Sequence, residues 1–284
     1  MKSKISHHLA LAQTFLFVPG NRPERFEKAL TTNSHAVIID LEDAVPLDEK
    51  IATRQALEKS LPNLLAQHKN RIVIRINAYG TDFFIDDLAF VSKFAIGAII
   101  HPKTDSTEQL DLISQAIHPD SLIIPMIETA SGVANLRSIA RHPRCLRLTL
   151  GNIDLQADLG FTCDEKESEI FPIRYEIALA TRLAEIASPI DGVTTNIESA
   201  EALQFDTLRS KRLGFGAKLC IHPKQVDVVI SCFTPTSIEI EKAKRIVAAD
   251  QASNGGAVKL DGRMVDRPVV LLAKKILKIA GVDL

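Results

Sequence analysis

Two carboxylates carry the strongest chemical signal in the chain. Glu128 closes the apolar run 122–128, and Asp154 follows the run 146–151. If these runs are neighbouring parallel strands about 4.8 Å apart, both side chains can reach one ion. Two carboxylates with room left for water and substrate oxygens is the usual setting for Mg²⁺, a hard cation that keeps open positions. Zinc is not expected, because no His/Cys cluster has ligand spacing. A plainer reading stands beside each assignment: Asp154 as a helix cap, Glu128 as a rim acid.

Other ionisable groups end other apolar runs. Asp40, Glu42 and Asp43 crowd the end of run 36–41, and Arg75 sits inside Ile-Arg-Ile-Asn. A buried arginine needs an anionic partner. Its fork suits a substrate carboxylate or an enolate oxygen; the internal alternative is Asp40 or Glu42. One of the three acids is expected to orient Arg75 and another to meet metal-bound water, with helix capping near Pro46 the alternative for Asp43. Lys103 follows His101 and Pro102 but is not read as a Schiff-base nucleophile beside so acidic a pair. His222, before Pro223, reads as a packed structural residue. The Pro19–Gly20 turn either offers backbone N–H groups to a ligand carboxylate or carbonyl, or is an ordinary strand-to-helix turn.

These residues need a scaffold that gathers strand ends. Eight short Val/Ile/Leu-rich runs (14–19, 36–41, 72–77, 96–101, 122–128, 146–151, 190–194 and 218–222) read as strands covered on both faces, as in a parallel sheet. Helical stretches at 23–30, 48–65, 106–117, 131–140, 171–187 and 199–213 alternate with them. In 48–65, Leu57, Leu61, Leu64 and Leu65 share one face, and Pro62 is expected to kink or end the helix. The alternation predicts an α/β fold, a (β/α)₈ TIM barrel, over residues 1–232. A doubly wound sheet is disfavoured because no Gly-rich dinucleotide loop follows the first strand. Barrel active sites form at the C-terminal strand ends, where the candidate residues lie. Residues 233–284 read as a helix, a hairpin around Asp261–Gly262 and a last helix: a C-terminal arm or lid packing on a neighbouring subunit.

Composition narrows the class. Of 284 residues 46% are hydrophobic and the net charge is −1, without the basic excess of a nucleic-acid or anionic-membrane binder. No apolar stretch reaches the roughly 18 residues of a membrane span. Lys2 and Lys4 before run 9–18 imitate a signal peptide, but Gln13 and Thr14 interrupt it and no cleavage site follows, so the run reads as a strand. Four cysteines without a C-x-x-C pair point to a reduced, cytoplasmic protein.

Several segments together carry a resemblance: LFVPGNRPER (16–25), AVIIDLEDAV (36–45), IRIN (74–77), IIPMIETASGV (123–133), GNIDLQADLG (151–160), GFGAKLCIHPKQV (214–226) and GRMVDRPVV (262–270). In order and over almost the whole chain, they resemble the citrate lyase beta-subunit and malyl-CoA lyase family. The resemblance implies Mg²⁺ held by Glu128 and Asp154, with substrate bound by Pro19, Gly20, Arg75 and Glu128. It implies a homo-oligomer, a trimer or a multiple of it, whose arm delivers Asp266 to a neighbour as an acid/base group. Sequence alone reads Asp266 as a helix cap before Pro268. Arg75, Asp266 and the acids Asp40, Glu42 and Asp43 form the expected catalytic set. The sequence departs from the family pattern at Gln13-Thr14, Ile153, Asn196 and Glu198. The implied activity is cleavage of a 3-hydroxy-3-carboxyacyl-CoA thioester to acetyl-CoA and a 2-oxo acid, with citramalyl-CoA favoured over malyl-CoA and citryl-CoA. The alternatives are a citryl-acyl-carrier-protein lyase subunit of a citrate lyase complex, a malyl-CoA-type thioesterase and a non-catalytic assembly subunit.

Overall fold

Side chains along a strand alternate between faces, and here the alternation separates a barrel interior from its outer layer. The computed structural model describes residues 4–253 and 256–282. Eight parallel strands close in sequence order: β1 (Thr14–Pro19), β2 (Ala36–Asp40), β3 (Ile72–Arg75), β4 (Ala98–His101), β5 (Leu122–Ile127), β6 (Thr149–Leu150), β7 (Ile190–Asp191) and β8 (Ala217–Cys220). Pairs such as Phe15↔Leu219 join β1 to β8 and complete the ring. Phe15, Ala36 and Ile38, Val73, Ala98 and Ile100, Ile124 and Met126, and Ala217 and Leu219 fill one buried cluster. They are the i, i+2 positions of a single face. The chain is a (β/α)₈ TIM barrel, as its run pattern predicts.

Local expectations change at several places. Run 9–18 is not all strand: helix Lys4–Leu11 takes its first residues. Leu9 and Ala12 join the barrel's interior cluster. The fully buried Arg147 donates to the carbonyls of Leu9 (3.0 Å) and Ala12 (2.8 Å), which satisfies acceptors around that helix end. Pro62 does not end its helix, which runs Lys50–His68. Proline costs a helix one N–H bond. Here it stands on the exposed side, while Leu57, Leu61, Leu64 and Leu65 stay buried opposite. Stretch 131–140 divides into Ala130–Ala134, capped by the Thr129 side chain, and Leu136–Arg141.

The chain divides into two compact units between Ile230 and Ser231. In the second, helix Ser237–Ala252 starts from a Thr236/Glu239 capping box. Strands β9 (Val258–Leu260) and β10 (Arg263–Val265) pair antiparallel. Asp261 and Gly262 between them both have positive φ, 52° and 78°, as a type I′ turn requires. Helix Arg267–Ile279 follows, with Asp266 at its N-cap accepting from the Val269 N–H. Val265, Val270, Ala273 and Leu277 close a small core against Ala243, Ile246 and Val247. Among the described residues no helix is long and apolar enough to cross a membrane.

One buried residue gives the fold a measurable acid sensitivity. His101 is fully buried beside the Phe84 ring. Burial pushes its pKa down to about 4. Between the ordinary histidine value and that level, the unfolded chain binds a proton that the folded chain refuses, so stability falls as pH falls. The loss expected between pH 6.5 and 4 is on the order of 3 kcal/mol. Urea unfolding of wild type and His101→Leu across this range checks it: the variant should lack that share of the slope, and parallel curves would show that His101 is not its source.

Candidate active site

Register brings the candidate residues to one level. Pro19 pairs with Asp40, and Asp40 with Arg75. Asp40 continues the inward series Ala36, Ile38; Arg75 continues from Val73; Glu128 continues Ile124, Met126. Pro19, Asp40, Asp43, Arg75, Glu128 and Asp154 line one cavity of about 370 Å³ with Phe17 and Met126.

Arg75 anchors one half of this site. Its Nε and Nη2 donate to the two oxygens of Asp40 at 2.7 and 2.6 Å, a bidentate pair. Its Nη1 lies 2.9 Å from Glu42 and 3.4 Å from Asp43. Burial opposes the guanidinium charge, but Asp40, then Glu42 and Asp43, outweigh it and raise the pKa above arginine's usual value. The Phe17 ring lies 4.8 Å from the guanidinium carbon. Asp40 is fully committed: it also accepts from the N–H groups of Glu42 (2.9 Å) and Ala44 (3.1 Å). That makes it the orienting acid. The Asn77 side chain donates to Leu41 O and to Asp87, which pairs with Arg54, so the β2 and β3 ends are braced together.

Glu128 and Asp154 form the other half. Glu128 is 1% exposed, so it is not a rim acid. Only glycine fits at Gly151: a Cβ there would sit 1.9 Å from Glu128 Oε2. Gly151 is also the N-cap of helix Asn152–Leu159, so Asp154, in its first turn, is not the cap. The Asn152 side chain exchanges two hydrogen bonds with the Val193 backbone and pins this helix start to the end of β7. The Lys103 ammonium lies 4.0 Å from Glu128 and 3.7 Å from Asp154, so the two carboxylates converge on one cation. Burial, then Glu42 and Asp154, push the Glu128 carboxyl up to about 8, with Lys103 opposing.

The connected cluster sets five carboxylates (Asp40, Glu42, Asp43, Glu128, Asp154) against two cations, Arg75 and Lys103. That excess of negative charge, with hard oxygen donors converging, fits a divalent cation at Glu128 and Asp154. Two carboxylates alone would leave such an ion positions for water and substrate oxygens.

Of the two readings of Pro19–Gly20, the backbone follows the ordinary turn, which the Arg22 N–H closes onto Pro19 O at 3.1 Å. Pro19 has no N–H, and the Gly20 N–H donates to Asp40 O at 2.8 Å, extending the β1–β2 ladder. Pro19 therefore meets the cavity through its ring, and Gly20 is there for close approach, since a Cβ would lie 2.7 Å from that carbonyl. His222 stays outside the cavity lining and accepts from the Lys224 N–H. Asp266 belongs to the second unit. Lys103 is not placed as a Schiff-base nucleophile. Burial opposes its charge, but Glu42, Glu128 and Asp154 raise its pKa, the opposite of what a Schiff-base lysine needs.

A family model for HpcH/HpaI aldolase/citrate lyase matches residues 13–223. The chain belongs to this family. The citrate lyase subunit beta-like protein of Deinococcus radiodurans is 33% identical to this family member over 277 residues, 94% of this chain and 97% of that one. The (3S)-malyl-CoA thioesterase of Cereibacter sphaeroides is 31% identical, covering 96% of each. The crystal structure of protein CitE from Mycobacterium tuberculosis, in complex with magnesium, acetoacetate and coenzyme A, superposes with a TM-score of 0.84 at 32% identity, covering 96% of this chain and 99% of that one. Aldolase/citrate lyase membership makes this a lyase-type enzyme.

Proposed function

We propose that this protein is a Mg²⁺-dependent carbon–carbon lyase that cleaves a 3-hydroxy-3-carboxyacyl-CoA thioester to acetyl-CoA and a 2-oxo acid. The observation that carries this reading is the pairing of Glu128 and Asp154 beside a buried, acid-anchored Arg75 in one cavity. The similarity to a CitE structure holding magnesium, acetoacetate and coenzyme A supports it.

Glu128 and Asp154 would hold the Mg²⁺, which when bound supplies Lewis-acid polarisation of substrate oxygens. Arg75, held by Asp40, meets the negative charge that develops on the thioester oxygen as the carbon–carbon bond breaks. The Pro19 and Phe17 rings form apolar wall beside it. Asp266 in its carboxylate form takes the hydroxyl proton, the ketone forms, and the electron pair of the broken bond stays on the thioester α-carbon. Asp266, brought by the C-terminal unit of a neighbouring copy, protonates that carbon and so releases acetyl-CoA. Glu42 and Asp43 keep Arg75 charged during the step.

The substrate we favour is citramalyl-CoA, giving pyruvate. One methyl changes discrimination by only about 1–3 kcal/mol, so malyl-CoA and citryl-CoA belong in the same assay. Purified protein is incubated with each, with Mg²⁺ or EDTA, and products are identified by mass spectrometry. Mg²⁺-dependent acetyl-CoA with pyruvate, glyoxylate or oxaloacetate supports the lyase and names its substrate. The thioesterase relative makes hydrolysis the second reading, and free CoA with the intact hydroxy acid would favour it.

A further inference from the structure

Lys103 is the residue of the site that the reaction above does not use. It stands just past β4, whose inward series is Ala98 and Ile100, so an extended chain would turn residue 103 away from the barrel axis. Its φ is +46°, a left-handed conformation that a non-glycine residue rarely adopts. The result is that one residue turns two donors into the site. Its backbone N–H donates to Glu128 Oε1 at 2.8 Å. Its ammonium donates to Glu42 Oε1 at 2.8 Å and lies 3.7 Å from Asp154 and 4.0 Å from Glu128.

These distances differ in kind. The contact with Glu42 is a hydrogen bond; those with Asp154 and Glu128 are longer electrostatic contacts. The ammonium is anchored on Glu42 and leans on the metal-ligand pair. Its side chain is 38% exposed, which leaves it a way toward solvent. Arg75, the other cation of the cluster, is held by Asp40, Glu42 and Asp43, and no ion pair links it to Glu128 or Asp154.

We propose that Lys103 is a resident counter-cation and positioning residue, whose ammonium holds Glu128 and Asp154 together in the metal-free protein and swings away from them, keeping its Glu42 contact, when a divalent cation enters. This rests on Glu128 and Asp154 being the metal ligands. The backbone N–H keeps Glu128 aimed while the side chain moves, so one residue both preserves the ligand geometry and competes with the metal. Metal affinity is then an exchange of one cation for another, and it is weaker than the carboxylate pair alone would give.

The sign of that competition separates it from a merely structural role. A lysine that only supported the site would, when lost, weaken metal binding. A competing lysine, when lost, strengthens it. Calorimetric titration of metal-stripped, full-length protein with Mg²⁺, and separately Mn²⁺, reads the difference. Lys103→Met keeps the backbone N–H and should bind Mg²⁺ about tenfold more tightly than wild type. It should melt at lower temperature without metal and close to wild type with saturating Mg²⁺. Lys103→Arg should restore wild-type affinity. Lys103→Gln is the second neutral variant should Lys103→Met fold poorly. Unchanged or weaker Mg²⁺ affinity in the neutral variants overturns the proposal. Absence of Mg²⁺ binding in wild type, or full binding in Glu128→Gln, overturns instead the ligand assignment beneath it.

Discussion

Glu128→Gln is expected to lower kcat for thioester cleavage by about a thousandfold while leaving the barrel folded. The loss follows from removing one of two charged ligands from a cation whose polarising effect is worth several kcal/mol, where each 1.4 kcal/mol or so is a factor of ten. The fold should not suffer. Glutamine is nearly isosteric, and its carbonyl oxygen can still accept from the Lys103 N–H, now 2.8 Å from Glu128. Burial first, then Glu42 and Asp154, disfavour a charge at this position, so a neutral side chain there is tolerated. Steady-state kinetics at saturating Mg²⁺ and a urea titration read the two parts separately. Full Mg²⁺-dependent turnover in the variant would remove Glu128 from the metal site.

Arg75→Met should damage both fold and activity. Asp40 is 1% exposed, and Arg75 meets both of its oxygens. Without the guanidinium, Asp40 and Glu42 are left as neighbouring buried acids, and breaking a buried pair in this way costs about 3–5 kcal/mol. Arg75→Lys restores the charge but not the fork that meets both oxygens of Asp40. It should regain part of the stability and little of the turnover. A fall in urea midpoint for Met with partial recovery for Lys is the expected pattern. Stability of Arg75→Met within about 1 kcal/mol of wild type would mean the acids find another partner.

The barrel was legible because its strands are short and continuously apolar, and because eight of them alternate with helices. The site was legible to the same depth. Asp40, Arg75 and Glu128 keep the inward parity of residues two and four positions earlier, so a period of two places them at one mouth. Asp154 is legible through its loop, four residues beyond β6. What could not be read lies where backbone departs from periodicity. Lys103 reaches the site only through a left-handed residue, and nothing in His-Pro-Lys-Thr marks that φ. The Pro19–Gly20 turn reads equally as free amides or as an ordinary turn, and strand register decides that the Gly20 N–H pairs with Asp40. Pro62 carries an ordinary helix-ending signal that four buried leucines override.

The central claim is that this cavity breaks a carbon–carbon bond and returns a proton to the thioester α-carbon. Turnover of citramalyl-CoA in D₂O, followed by mass spectrometry, measures this directly. The account predicts acetyl-CoA carrying one solvent deuterium in its methyl group, formed in equal amount with pyruvate and abolished by EDTA. Free CoA with intact citramalate, or acetyl-CoA without solvent deuterium, would contradict it.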